Sequence, residues 1–321
     1  MRILFITSSF VGEAVLTTGV LKDALDRHPE ARITVVAGPA SAGLFAAVPG
    51  LDRVIAAEKL DRHRHWWTLW RDLVRYRWDL VLDLRRSPVS RLLMARERRW
   101  RPAMDDSVHR VVLNGRTAGT ATPPDPYIWT SPTDDAAAAR LVPAGPPVLA
   151  LATVPARRSK SWPAERFAAL ARRLTSADGI LPDGRVLIAG GPGEEAATGP
   201  IAGALADRQV IDLTGLDLPT TCAAFRRCAL FVGVDSGLMH LAAAAGIPTL
   251  GLFGPSDERH YAPWSPRGAT VRAPGTAEQL ERRDDRAVRA AMMPALTVDA
   301  VTVAAGELWR RCADMKETPD G

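Results

Sequence analysis

The chain lacks the features of membrane-spanning, exported and zinc-binding proteins. No apolar run approaches the roughly 18 residues that a membrane-spanning helix needs. The opening MRILFIT is too short for a secretory signal, and we expect it to form a first strand. Three cysteines, Cys222, Cys228 and Cys312, match no zinc spacing and leave one thiol unpaired under any disulfide scheme. These absences favour a cytoplasmic protein with reduced thiols.

A dinucleotide fingerprint and a metal-ligand cluster are also missing. GGPGEE at 190–195 follows a predicted strand but lacks the G-x-G-x-x-G order, which disfavours a nicotinamide oxidoreductase. A glycine turn after a strand still lets a ligand approach the backbone. Gly191 and Glu194 are therefore candidates for donor binding, Glu194 through ribose hydroxyls, although a plain turn capped by acids explains the same residues. We expect neither a metal nor a nucleic-acid partner.

What is present is the composition of a globular enzyme. Hydrophobic residues make up 47% and charged residues 24% of 321 residues, which suits about two domains of roughly 150 residues. Both halves alternate short β-branched runs with amphipathic stretches, a pattern typical of parallel sheets covered by helices. Because 117–147 is rich in proline, we place the boundary there and predict domains at 1–145 and 146–321, the second ending in a closing helix.

The element predictions are as follows. In the first half, strands are predicted at 3–7, 33–37, 53–56, 80–84 and 110–113, and helices at 14–27, 40–47, 65–76 and 90–95. In the second half, strands are predicted at 148–152, 185–189, 210–212, 231–234 and 249–253, and helices at 163–174, 201–207, 219–228, 238–245 and 297–313.

The most informative stretch is VGVDSGLMHLAAAAGIPTLGLFGP at 232–255, which reads as strand, polar turn, helix and strand. A helix entered through Asp235, Ser236 and Gly237 offers free N–H groups and a positive dipole end, which favour phosphate. His240 falls in its first turn, where it serves either as a ligand contact or as an ordinary packed helix histidine.

Two further residues occupy positions where open α/β sheets bind ligands. Glu13 follows the first strand, where a carboxylate is either catalytic or a complement to the helix dipole. Lys160 lies between a strand and a helix and is either a phosphate contact or an ordinary loop lysine.

Basic residues concentrate in one region. The segment 60–101 has twelve arginines against five acids, a local charge of +7, while the whole chain carries +5. This indicates either an anionic macromolecule or membrane as partner, or a solvated arginine-rich face. The tryptophans Trp66, Trp67 and Trp70 within it fit either the domain core or a lipid interface.

With these residues assembled, the chain resembles the lipopolysaccharide heptosyltransferases, glycosyltransferase family 9, over nearly its whole length. The segments that carry the resemblance are MRILFITSSFVGEAVLTTGVLKDAL, KSWPAERFAAL, VDSGLMHLAAAAGIPTLGLFGPSD and, more loosely, WDLVLDLRRSPVSRLL. It departs from the family at Glu13, where the family has its catalytic Asp, and at Gly19, where other members have Pro.

The resemblance implies the GT-B fold, in which two Rossmann-like, doubly wound parallel-sheet domains face a central cleft. It implies an acceptor-binding first half and a nucleotide-sugar-binding second half. The implied reaction is inverting, metal-independent transfer of a heptose or similar sugar from ADP-heptose to a lipopolysaccharide-core or related glycan, without a cofactor.

The implied residue roles combine with the motifs above. Glu13 and Lys160 are the catalytic candidates. Asp235, Ser236, Gly237 and His240 join Gly191 and Glu194 as donor contacts. Ser9, Arg85 and Arg86 are candidates for contact with an anionic, lipid-linked or phosphorylated acceptor, on a cytoplasmic protein with peripheral contact to the inner membrane.

Two other functions remain open at this point. One is a sugar-nucleotide isomerase on the same scaffold, since fold alone does not fix chemistry. The other is a weakly active nucleotide-sugar-binding protein, suggested by Glu13 in place of Asp. The sequence sets neither the oligomeric state nor the donor base.

Overall fold

The computed structural model describes residues 1–58, 64–154, 158–275 and 286–317. The chain divides into two compact units, Met1–Ser131 and Pro132–Gly321, rather than at the predicted 145/146. The helix Pro132–Leu141 packs against Leu218–Phe225, and Thr220 Oγ1 lies 3.3 Å from an oxygen of the Asp134 carboxylate. These contacts assign the proline-rich segment after residue 131 to the second unit.

The first unit contains a parallel five-stranded sheet of order β3-β2-β1-β4-β5. Its strands are β1 (Arg2–Ile6), β2 (Arg32–Ala37), β3 (Leu51–Ala56), β4 (Arg77–Asp83) and β5 (Met94–Trp100). The central strand β1 pairs Ile3 with Ile33 on one side and with Leu80 on the other. Burial on both faces explains why β1 is a continuous apolar run.

Helices cover this sheet. They are α1 (Val11–Val15), α2 (Thr18–Arg27), α3 (Pro39–Ala42), α4 (Arg64–Leu73), α5 (Pro88–Arg91) and α6 (Arg110–Ala118), with a 3₁₀ turn at Gly43–Phe45. Trp66 and Trp70 of α4 pack against the core cluster that contains Leu69, Leu73 and Trp78, whereas Trp67 is exposed. The expectation that these tryptophans pack in the domain core therefore holds for Trp66 and Trp70, and Trp67 does not pack there.

The strand predicted at 110–113 is wrong, because these residues begin the helix α6. His109 caps its start, with Nδ1 accepting from the Val111 N–H at 3.1 Å, and Gly119 ends it in the left-handed conformation at φ 70°. The fifth strand is instead β5, which begins inside the helix predicted at 90–95. Of the helix predicted at 90–95, only residues 90–91 are helical, as the end of α5 (Pro88–Arg91).

The second unit contains a parallel six-stranded sheet of order β11-β10-β9-β6-β7-β8. Its strands are β6 (Val148–Ala152), β7 (Arg185–Ala189), β8 (Val210–Asp212), β9 (Leu230–Val234), β10 (Thr249–Phe253) and β11 (Gly268–Arg272). All were predicted except β11. Every residue of β6, β7, β9 and β10 is buried.

Helices flank this sheet as well. They are α7 (Pro132–Leu141), α8 (Ala164–Leu174), α9 (Glu195–Ala204), α10 (Leu218–Phe225), α11 (Gly237–Ala244), α12 (Glu258–Tyr261), α13 (Arg286–Ala295) and α14 (Val298–Glu317), with a 3₁₀ turn at Arg158–Lys160. The last helix packs on α8 and β11, so the closing helix predicted at 297–313 is present and longer.

The three cysteines are buried free thiols, and burial raises the pKa of Cys222 and of Cys228 to about 12. Thiols held this far from ionisation are packing residues rather than nucleophiles. In the part of the chain that the structure describes, no helix is long and apolar enough to cross a bilayer.

Candidate active site

The first group of candidate residues lies where β9 ends in the second unit. After Val234 the chain turns through Asp235 and Ser236, and α11 begins at Gly237. Ser236 is extended, at φ −149° and ψ 171°, and its side chain makes no capping bond. The first N–H groups of α11 therefore have no side-chain cap, which leaves a helix terminus suited to an anion.

Lys160 and Asp235 form an ion pair at this edge. Lys160 Nζ lies 2.5 Å from Asp235 Oδ2, and the two side chains are 24% and 7% exposed. The lysine projects from the 3₁₀ turn that follows β6, the direct neighbour of β9 in the sheet. Two predicted residues far apart in sequence are thus in contact, with the lysine still partly open to solvent.

Three neighbouring strands of this sheet each end near a buried hydroxyl that has no hydrogen-bond partner among the described residues. The hydroxyls belong to Thr153 after β6, Ser236 after β9 and Ser256 after β10. A buried, unpaired hydroxyl costs about 1–3 kcal/mol, so such groups are usually satisfied by bound water or by a ligand. The repetition at one sheet edge indicates a surface built to contact a polar ligand.

His240 lies in the first turn of α11 and is 4% exposed. Its ring centroid lies 6.3 Å from that of Tyr261, with the planes at 54°. The histidine thus packs against α12 below the turn that contains Ser236 and Gly237. This position supports the turn as readily as it reaches a ligand.

The glycine turn after β7 is held by its own acids. Glu194 Oε2 accepts from the Gly191 N–H at 2.7 Å, and Glu195 Oε1 accepts from the Gly193 N–H at 3.3 Å. Gly193 has φ 82°, a conformation that favours glycine. In this structure the Glu194 carboxylate therefore orders the turn, and a ribose contact through it has to coexist with that bond.

In the first unit, Glu13 lies in α1, just after β1. Ser8 Oγ donates to Glu13 Oε2 at 2.9 Å, and Ser8 Oγ also accepts from the Phe10 N–H at 3.2 Å. Within the described ranges Glu13 makes no ion pair. The carboxylate is therefore oriented by a neutral donor and keeps its second oxygen available.

A small pocket surrounds Glu13. Its lining residues come from the ends of β1, β4 and β5, from α1 and the turn that follows it, and from α6: Ser8, Glu13, Leu16, Thr17, Leu84, Arg101, Arg110 and Asn114. Among the residues that the structure describes, the buried Nε of Arg101 and the Oδ1 of Asn114 find no hydrogen-bond partner. Asn114 is 4% exposed and donates from Nδ2 to the Leu16 carbonyl at 3.1 Å. The pocket thus combines a carboxylate with a guanidinium Nε and an amide oxygen whose hydrogen-bonding capacity the described residues leave unused.

The loop after β4 is organised by Asp83, which is fully buried. Its carboxylate accepts from the N–H groups of Arg85 at 2.9 Å and Ser87 at 2.6 Å, and from Ser90 Oγ at 2.6 Å. Burial raises the pKa of Asp83 above its ordinary value, and these hydrogen bonds oppose the rise. The carboxylate is a loop anchor that the sequence analysis did not identify.

The remaining candidates lie outside the lining of the Glu13 pocket. Arg85 is half-buried, with its guanidinium 5.4 Å from the ring centroid of Trp66, and Arg86 is exposed at φ 57°. Ser9 is half-buried against Gly38, where an added Cβ would lie 2.6 Å from the Ser9 Cα. The structure gives these three residues no shared contact.

In the described residues, no group of three or more His, Cys, Asp or Glu side chains could hold a metal ion. Cationic groups near the candidate edges are instead Lys160 in the second unit and Arg101 and Arg110 in the first.

Comparisons with known proteins agree with this architecture. A family model described as glycosyltransferase family 9 (heptosyltransferase) matches residues 96–289. A family 9 glycosyltransferase structure from Veillonella parvula is 19% identical, with a TM-score of 0.77 over 96% of this chain and 97% of that one. The ADP-heptose lipopolysaccharide heptosyltransferase II of E. coli is 21% identical, with a TM-score of 0.73 over 98% and 100%.

A third structure, the E. coli heptosyltransferase WaaC with ADP, is 19% identical, with a TM-score of 0.71 over 96% and 100%. At these identities the three structures establish the fold, which is GT-B as the resemblance implied. A search of curated protein sequences gives no match.

Proposed function

The chain belongs to glycosyltransferase family 9, the heptosyltransferase family, and we propose that it moves a heptose or similar sugar from an ADP-sugar to a lipopolysaccharide-core or related glycan with inversion. The observation that carries the proposal is the edge of the second sheet, where the Lys160–Asp235 pair lies among the unpaired hydroxyls of Thr153, Ser236 and Ser256. A nucleotide sugar offers both the anionic and the hydroxyl groups that such an edge would bind.

We assign the donor to the second unit. Lys160 and the N-terminus of α11 would stabilise the negative charge that develops on the departing diphosphate. Asp235 would accept bonds from sugar hydroxyls, and the three unpaired hydroxyls would donate to phosphate or sugar oxygens. Solved relatives are described with ADP and with ADP-2-deoxy-2-fluoro heptose, which supports an ADP-linked donor.

We assign the acceptor and the general base to the first unit. In the proposed step, an acceptor hydroxyl oxygen bonds to the anomeric carbon while the bond from that carbon to the diphosphate oxygen breaks. The hydroxyl proton passes to the Glu13 carboxylate, which Ser8 orients. Arg101, Arg110 and Asn114 line the same pocket and suit an acceptor that carries hydroxyl and anionic groups.

We further propose that the enzyme works in the cytoplasm and meets an anionic, lipid-linked acceptor at the inner membrane. Arg85, Arg86 and Arg91 support this, because each basic residue near an anionic leaflet contributes about 1 kcal/mol. Reversing their three charges is expected to weaken both liposome binding and acceptor affinity. Unchanged values for both would remove this part of the proposal.

The donor assignment is tested by thermal shift of the full chain against ADP-heptose, UDP-sugars and GDP-sugars. ADP-heptose is expected to raise the melting temperature most, and stronger stabilisation by a UDP- or GDP-sugar would overturn the donor while leaving the fold untouched. Incubation of the enzyme with donor alone separates the isomerase alternative, since only an isomerase forms a new sugar nucleotide without acceptor.

A further inference from the structure

A second pocket in the Pro132–Gly321 unit lies at the sheet edge opposite Lys160 and Asp235. It is found where β6, β7 and β9 begin, and it encloses about 380 Å³. It is lined by the proline-rich turn at 142–148, by Arg185, by Arg226 and Arg227, and by Cys228 and Ala229. Its volume lies in the range of small-molecule sites, roughly 300–1,000 Å³.

Arg185 is the buried cation of this pocket, at 5% exposure. Its guanidinium donates only to main-chain carbonyls: Nη2 to Pro143 at 2.8 Å and to Pro146 at 3.0 Å, and Nε to Pro146 at 3.2 Å. In the described ranges it has no carboxylate partner. A buried cation without a counter-charge is unfavourable, and carbonyl dipoles offset its charge only in part.

Arg227 brings a second charge to the pocket. Its Nε donates to the Val142 carbonyl at 2.6 Å, which fixes the guanidinium against the turn, and it forms no ion pair with any described residue. Arg226 is a third cationic lining residue. No aspartate or glutamate lines the pocket in the described part of the chain, so the charged side chains that line it are all cationic.

We propose that this pocket binds a phosphate group, as the free ion or on a small phosphorylated molecule, at a site separate from the donor edge. Guanidinium groups match phosphate oxygens with planar pairs of N–H donors. Arg227, bonded through Nε, offers its Nη1 and Nη2 as such a pair, and Arg185, whose Nε and Nη2 bond the turn, adds Nη1. The two guanidinium groups are held by carbonyl bonds to a turn stiffened by Pro143, Pro146 and Pro147, so little ordering is required on binding. The ligand neutralises the buried charge and stabilises the second unit.

The test is calorimetric titration of the full chain with inorganic phosphate in saturating ADP, so that the donor edge is filled. We expect saturable phosphate binding that Arg227→Gln weakens at least about tenfold, since it removes charge-assisted hydrogen bonds. The matched control is Arg267→Gln, because Arg267 also donates to a main-chain carbonyl, that of Gly246 at 3.3 Å, but does not line this pocket. It should bind phosphate as the wild type does.

Absence of saturable phosphate binding under these conditions, or equal binding by the Arg227→Gln variant, would overturn the proposal. Competition by a sugar 1-phosphate identifies a soluble ligand, and competition only by phosphatidic acid vesicles identifies a lipid headgroup as the source of the phosphate. If ADP itself does not bind, the proposed donor assignment fails. The phosphate proposal is still tested in that case, because phosphate affinity is compared between the wild type and the Arg227→Gln variant.

Discussion

The carboxyl edges of the two sheets place their charges differently. In the second unit, Lys160 and Asp235 neutralise each other at 2.5 Å, and the neighbouring unpaired groups are uncharged hydroxyls. In the first unit, within the described ranges, Glu13 is held by a hydrogen bond from Ser8 and forms no ion pair, and the buried Nε of Arg101 in the same pocket has no hydrogen-bond partner. The charges of Lys160 and Asp235 are compensated, whereas Glu13 forms no ion pair within the described ranges and can take part in a reaction.

Charged residues at equivalent positions, the carboxyl ends of parallel strands, therefore serve different roles in the two units. A residue whose charge is already paired contributes to stability as well as to binding, so its loss should affect both. A carboxylate oriented by one hydroxyl contributes little to folding, so its loss should affect the chemical step alone.

The largest effect is expected for Glu13→Gln. Gln keeps the side-chain volume and an oxygen that accepts the Ser8 hydrogen bond but cannot take a proton, so kcat should fall about 10²- to 10⁴-fold. Urea unfolding and ADP-heptose binding should remain at wild-type values. Glu13→Asp, which restores the family's residue, is the control and should retain activity within about tenfold. A Gln variant with near-normal kcat would exclude Glu13 as the base.

A smaller effect on both stability and binding is expected for Lys160→Met. The variant leaves the 7%-exposed Asp235 carboxylate unpaired, so urea unfolding should show a loss of about 3 kcal/mol. Donor affinity should fall at least about tenfold, because the diphosphate loses a cationic contact. Adding Asp235→Asn should restore stability but not donor binding.

Lys22→Met provides the comparison for this pair. Lys22 and Asp26 also form an ion pair, but on an exposed helix face, with side chains 38% and 61% exposed. Its loss should change the unfolding free energy by less than about 1 kcal/mol. An equal loss of unfolding free energy in the two lysine variants would show that the Lys160–Asp235 pair stabilises the protein no more than the exposed Lys22–Asp26 pair does.

The smallest and most diagnostic effect is expected for Thr153→Val. Val keeps the shape and removes an unpaired buried hydroxyl, so the free protein should become more stable by about 1 kcal/mol. Donor affinity should fall about threefold to tenfold. Thr249→Val is the matched control, because its buried hydroxyl donates to the Ile247 carbonyl at 2.9 Å, and it should lose stability. A Thr153 variant that is less stable without donor would contradict the assignment.

Prediction of the fold from the residue pattern succeeded where that pattern is local. In the second unit, buried strands and the Asp235–Gly237 turn lie in one continuous stretch, and the structure reproduces them. It failed at β5, whose residues MARERRW carry charges because β5 is an edge strand with several exposed positions. It also read the β-branched start of α6 as a strand, although capping and packing make it helical.

Those two errors concealed three of the eight residues that line the Glu13 pocket. Arg101 follows β5, and Arg110 and Asn114 lie in α6, so none could be placed beside Glu13 without the correct elements. Thr153 and Ser256 were missed for another reason. A single hydroxyl after a strand is common in sequence, and only its burial without a partner distinguishes it.

The glycine at position 19 shows how one departure from the family pattern constrains another part of the chain. A Cβ built there would lie 2.3 Å from the Pro124 carbonyl oxygen and 2.5 Å from that of Asp125. Proline is tolerated in the first turn of a helix such as α2, so the obstacle is the neighbouring main chain and not the helix. The residue at position 19 and the backbone path of residues 124–125 therefore depend on each other. An ancestral or chimeric enzyme with the family's proline at position 19 requires a backbone at 124–125 that follows a different path.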